Sequence, residues 1–140
     1  MNSVNDLSYK VIGCAMKIHD KLGCGLLESV YHECLKYELT KENIAFKSEV
    51  FIPVNYETLF IESGFKSDLI IEDKIIIELK SVEKITDNHK AQTLTYLKMS
   101  NLSLALLINF KESMLKNRIH RFINTFDKSV SSVKNSASSV

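Results

Sequence analysis

Proline occurs once in this 140-residue chain, glycine four times and cysteine three times. With so little of the turn-forming residues and 45% hydrophobic content, the chain reads as one compact soluble domain, large enough for a real core and too small for two. Cys14, Cys24 and Cys34 are odd in number and lack Cys-x-x-Cys spacing, which argues against a zinc ribbon or a disulfide framework and for a reducing cytoplasm. No apolar run approaches the roughly 20 residues that cross a bilayer, so no membrane association is expected. Residues 1–6 carry no basic region followed by an apolar one, so a secretory signal is not expected either. The net charge of +1 gives no global basic field. The basic residues are nevertheless unevenly placed. From Lys111 to Lys134, the basic residues Lys111, Lys116, Arg118, Arg121, Lys128 and Lys134 stand against only Glu112 and Asp127, and both arginines of the chain fall there. That segment reads either as a solvated rim or as a phosphate-contacting edge.

Periodicity sets the organisation. Leu7, Val11, Cys14 or Ala15, Ile18 and Leu22 recur at helical spacing and predict a helix that stops at Gly23. A second helix is expected over 26–41, burying Leu27, Val30, Tyr31, Cys34, Leu35 and Leu39. From Ile44 the period changes to two, with Val50, Ile52, Val54 and Tyr56 on one side, and Pro53 marks an edge or a bulge. Residues 65–71 and 74–80 predict two further strands, antiparallel around Glu72-Asp73. Thr86 or Asp87 can cap a third helix running to about 99. Residues 102–110 are apolar on both faces, as in a buried strand, and 117–123 add a last short strand or helix. The small polar residues from Ser129 onward are expected to be a disordered tail, leaving a single domain over 1–128. Pattern alone gives an α/β class with a mixed sheet.

The chemistry concentrates between Asp68 and Lys80. There a carboxylate, a turn and an isoleucine-rich strand end in Glu78-Leu79-Lys80. Alternation puts Glu78 and Lys80 on one face and Ile75, Ile77 and Leu79 on the other. Charged groups ending apolar strands are costly unless they pair, bind a metal or do chemistry. An Asp and a Glu on neighbouring strands can hold one hard divalent cation, with a Lys beside them. Upstream, Gly25-Leu26-Leu27-Glu28-Ser29-Val30-Tyr31 opens a helix, with Gly25 allowing a tight turn and Glu28, Tyr31 and Leu35 on one face. Downstream, His89, Gln92 and Tyr96 form one stripe of another helix.

Taken in order, Gly-x-x-Glu, Asp, Glu-x-Lys and Gln-x-x-x-Tyr resemble the PD-(D/E)XK nuclease superfamily, in its RecB-like branch. The local wording is similar to the small bacterial GxxExxY family, over Ile18-His19-Asp20-Lys21-Leu22-Gly23, Gly25 to Tyr31, Ile77 to Val82, Ala91 to Lys98 and Leu106 to Phe110. The resemblance covers residues 7–123 and implies an αβββαβ core, with a mixed central sheet flanked by helices. It implies Mg2+ or Mn2+ held by Glu28, Asp68 and Glu78, with Lys80 completing the catalytic set. Gln92, Tyr96 and Arg121 would contact the substrate, and His89 and Tyr31 would support the site from behind. His19 is expected to be structural or a neighbour of the Glu28 turn, and His32 and His120 to lie on the surface. The implied function is metal-dependent hydrolysis of DNA or RNA phosphodiester bonds, with nucleic acid as partner and a homodimer left open. The alternative is a nuclease fold that binds nucleic acid or protein with little or no turnover, since fold does not guarantee activity. A sugar or nucleotide hydrolase using the paired carboxylates is a third reading, disfavoured by the Glu-x-Lys strand.

Overall fold

The computed structural model describes residues 3–114 and 118–125. The expected tail at 129–140 lies outside them. In chain order the elements are α1 (Val4–Leu22), α2 (Glu28–Lys41), β1 (Phe46–Tyr56), β2 (Leu59–Ile71), β3 (Ile75–Lys80), α3 (Asp87–Ser100), β4 (Leu104–Asn109) and β5 (Ile119–Ile123). The five strands form one sheet in the order β1-β2-β3-β4-β5. Only the β3–β4 pair is parallel, and α3 makes that crossover. Successive strands elsewhere pair antiparallel. This is the mixed α/β arrangement that the sequence pattern predicts.

Alternation on the central strands builds two cores. Leu69, Ile71, Ile75, Ile77, Leu79, Leu106 and Ile108 pack with Leu7, Val11, Ile18, Tyr31 and Leu35 of α1 and α2. Ile70, Ile76, Ala105, Leu107 and Phe122 face the other way, onto Leu97 and Leu94 of α3. All six residues of β4 are buried, as a strand covered on both faces requires. Each Leu or Ile so enclosed contributes about 1.5–3 kcal/mol of transfer free energy.

The β2–β3 turn places Glu72 and Asp73 at φ 49° and 54°, both left-handed, with Lys74 N–H donating to the Ile71 carbonyl at 2.9 Å. Primed turn geometry of this kind matches the right-handed twist of the strands it joins. Pro53 lies on the edge strand where the β1–β2 register shifts between Ile52 and Val54. Opposite it, Gly64 has no room for a side chain, since a Cβ there would stand 2.3 Å from Val54 Cγ2. The strand β2 starts at Leu59 rather than 65. Its first residues are exposed on both faces and so carry no inside–outside alternation to read. Two helix expectations also change. Leu27 is 74% exposed, and Val30 and Leu22 are exposed as well.

Candidate active site

The turn before α2 is held from three sides. Gly23, not Gly25, takes the left-handed backbone, at φ 75°, and its N–H donates to the His19 carbonyl at 2.8 Å. The buried Tyr31 hydroxyl donates to the Gly23 carbonyl at 2.5 Å and accepts from Leu26 N–H at 3.2 Å. Its ring stacks on Phe110 with centroids 4.3 Å apart. Ser81, just after β3, donates to the Leu26 carbonyl at 2.9 Å. These bonds fix the first residue of α2, Glu28, beside the end of β3. Tyr31 thus holds this turn through its backbone groups.

The β2–β3 ladder ends at the Leu69–Ile77 pair. Beyond it the two carboxylates take the places of the missing rungs. Leu79 N–H donates to Asp68 Oδ2 at 2.8 Å, and Asp68 N–H donates to Glu78 Oε2 at 3.3 Å. The buried Ser67 hydroxyl adds a bond to Glu78 Oε2 at 3.1 Å. Burial first, and the Asp68 charge second, push the Glu78 carboxyl up to about 8, against the pull of its hydrogen bonds and of Lys80. At neutral pH this carboxyl is therefore mostly protonated without a cation. The Glu28 carboxyl is also raised, by desolvation and then by Asp68, while Lys80 and His32 pull it down. Glu28 is open to solvent on one side, so this shift carries little energy.

Glu28, Ser29, His32, Glu49, Lys66, Asp68 and Leu79 line a cavity of about 240 Å³. Glu78 stands behind Asp68, and Lys80 is half-buried at the strand end. From α3, Tyr96 stacks on Phe65 with centroids 3.9 Å apart. Its pKa is raised by burial and then by the charges of Glu78 and Asp68, while the Gln92 side chain pulls it down. The charges of Glu28, Asp68, Glu78 and Lys80 act on one another, and Tyr96 of α3 feels those of Glu78 and Asp68.

Three expected residues have other engagements. His89 closes a capping box at the start of α3: its Nδ1 accepts from Thr86 N–H at 3.0 Å, and its own N–H donates to Thr86 Oγ1 at 3.2 Å. Arg121 gives its guanidinium to Asn5 and to Ser8 of α1. Arg118 pairs with Glu112 at 2.9 Å. His32 is not a plain surface residue, since it lines the cavity and lies 3.3 Å from Ser48 Oγ. His120 is half-buried, with Lys90 and Arg118 near enough to lower its pKa after burial. Buried His19 contacts the Glu112 carbonyl through Nε2 at 2.6 Å.

A model of the PD-(D/E)XK nuclease superfamily matches residues 5–122, from the start of α1 through the body of β5. The chain belongs to the PD-(D/E)XK nuclease superfamily. No curated protein and no solved structure matches it. For a PD-(D/E)XK chain the donor set is chemically apt: Asp68 and Glu78 offer only oxygen, and their mutual repulsion is what a hard cation would relieve. Convergence is less complete. Among the described residues no three His, Cys, Asp or Glu side chains gather as a metal-holding group. Glu28 is coupled to Asp68 through charge, and Asp68 and Glu78 are occupied by main-chain donors.

Sequence reasoning missed Ser67, Lys66 and Asn109. The buried Asn109 accepts from Val82 N–H at 3.0 Å and donates to the Val82 carbonyl at 2.9 Å, pinning the loop that follows Lys80. Lys80 and Asn109 are register partners in the parallel pair, a relationship only the crossover reveals.

Proposed function

We propose that this chain is a metal-dependent nuclease of the GxxExxY group within the RecB-like branch, hydrolysing phosphodiester bonds of DNA or RNA. The observation that carries the reading is the replacement of two ladder rungs by the Asp68 and Glu78 carboxylates, with Lys80 closing the same strand. The group implied is Mg2+ or Mn2+, held by Asp68 and Glu78 with Glu28 as a third acid. When bound, such a cation supplies Lewis acidity and lowers the pKa of an attacking water. Asp68 and Glu78 position that centre, because their hydrogen bonds to Leu79, Asp68 and Ser67 fix the carboxylate planes. Lys80 orients the attacking water and favours its hydroxide form. Gln92 and Tyr96 contact the substrate phosphate from α3, and the basic residues near β5, Arg121 among them, lie on the proposed substrate path. Three carboxylates against one lysine leave an excess of negative charge that suits a phosphate only once a cation is present.

A second reading, a nuclease fold that binds without turnover, draws on the lack of a gathered three-ligand group among the described residues. Calorimetry with Mg2+ and Mn2+, run beside a cleavage screen on single- and double-stranded DNA and RNA, separates the two. Metal binding with cleavage that disappears in Glu78→Ala supports the nuclease. Nucleic-acid binding with neither metal uptake nor cleavage supports the binding module.

A further inference from the structure

Beyond residue 50 the β1–β2 hairpin runs on as an arm that gives Ile52 and Phe65 to the core beside α3 and leaves its other side open. Phe51 is 57% exposed and Phe60 is 59% exposed. Phe51 faces Lys66 directly across the hairpin and Phe60 faces Asn55. Positions 51 and 55 keep the same parity on β1 across the register shift between Ile52 and Val54, and Phe51, Asn55, Phe60 and Lys66 are all exposed, which gives the arm an open face. Lys66 connects this face to the active site. It lines the cavity with Asp68 and Glu28, and its ammonium lies 5.8 Å from the centre of the Phe51 ring. Its carboxylate partner is Glu49 at 3.4 Å, in a half-exposed pair of low energetic weight that a phosphate can replace.

We infer that this face is a platform for an unpaired nucleic-acid strand, with Lys66 taking the phosphate next to the cavity and Phe51 and Phe60 stacking on bases. The inference rests on the nuclease reading of the same site and names its substrate class. Exposed aromatic rings beside a cation, continuous with a phosphate-handling cavity, are how proteins hold single strands without reading sequence. A duplex keeps its base faces stacked internally and offers them no partner.

The test is fluorescence anisotropy with Ca2+ present to offset the charge of the acids, using a short mixed-sequence single-stranded DNA and its blunt duplex, beside the cleavage screen. The parent should bind the single strand more tightly than the duplex. Phe51→Leu with Phe60→Leu keeps apolar bulk but removes the ring faces. It should lose at least about five-fold in single-strand affinity per ring, with the duplex unaffected and the melting temperature held. Lys66→Ala should lower the salt slope of single-strand binding by about one unit. A parent that cleaves while the double variant binds the single strand as well as before overturns the platform and leaves the nuclease standing. A parent that binds neither form and cleaves nothing overturns both. If the parent sediments as a dimer and the double variant as a monomer, the face is a contact between copies, and the platform is likewise overturned.

Discussion

Asp68 donates its backbone N–H to the carboxylate of Glu78 while its own carboxylate receives the N–H of Leu79. Each acid thus substitutes for a backbone partner that the parted strands no longer provide. The arrangement holds two carboxyl groups together in a buried place, and its cost falls on Glu78.

That cost makes metal-free stability depend on pH. The Glu78 carboxyl titrates near 8 in the fold, against an ordinary value near 4.5. The folded form therefore holds a proton that the unfolded chain gives up, and stability declines as pH rises between those values. Below about 4.5 the contribution is complete, and above about 8 it is lost. Glu78→Gln removes the titration. Chemical denaturation in chelator at pH 5 and pH 9 should show the parent losing a few kcal/mol more than the variant on going to high pH. Equal losses would place the burden on another group.

Asp68→Asn and Asp68→Ala should separate chemistry from folding. Both remove a cation ligand and are expected to abolish divalent-cation heats in calorimetry and any cleavage. The asparagine carbonyl can still accept from Leu79 N–H, whereas alanine leaves that donor unmatched at a cost of about 1–3 kcal/mol. The metal-free melting temperature should therefore rank asparagine above alanine. Above about pH 8, where the Glu78 carboxyl is charged, relief of its repulsion lifts both variants relative to the parent.

Tyr31→Phe keeps the stack on Phe110 but removes the hydroxyl that joins Gly23 to Leu26. Thermal unfolding should show a loss of about 1–3 kcal/mol. Because this turn sets where Glu28 starts its helix, cation affinity should also weaken, while Tyr37→Phe, at an exposed position, changes neither.

The two arginines near β5 should part company. Arg121 is bonded to Asn5 and Ser8 of α1, so Arg121→Ala should lower the melting temperature. Arg118 pairs with Glu112 at an exposed position, and Arg118→Ala should leave stability within about 0.5 kcal/mol. In nucleic-acid binding, each arginine that contacts a phosphate should reduce the salt slope by about one unit on removal. An unchanged slope in the double variant would put the substrate path elsewhere.

Much of the fold was legible because burial leaves a period. Ile75 to Leu79 and Leu104 to Ile108 could only be enclosed strands, and Leu7, Val11 and Ile18 only one helix face. Pro53 announced an edge, and β1 is one. The exposed start of β2 left no such mark, since residues that face water on both sides follow no alternation. Asp68, Glu78 and Lys80 were visible as charges ending apolar strands. Ser67 and Asn109 were not, because a buried hydroxyl or amide takes its importance from a partner across the sheet. His89 looked like part of a functional stripe, yet the Thr86 beside it in sequence allowed the cap that it forms.

The turn at Glu72-Asp73 stands at the opposite end of the β2–β3 hairpin from the acids. A hairpin that nucleates at such a turn closes like a zipper, rung by rung, toward Asp68 and Glu78. At the next rung the Asp68 and Glu78 side chains take up the free amides themselves. The same side chains that would serve a cation thus act as a stop, fixing how far the strands anneal and keeping a cleft open at one end of an otherwise continuous hairpin.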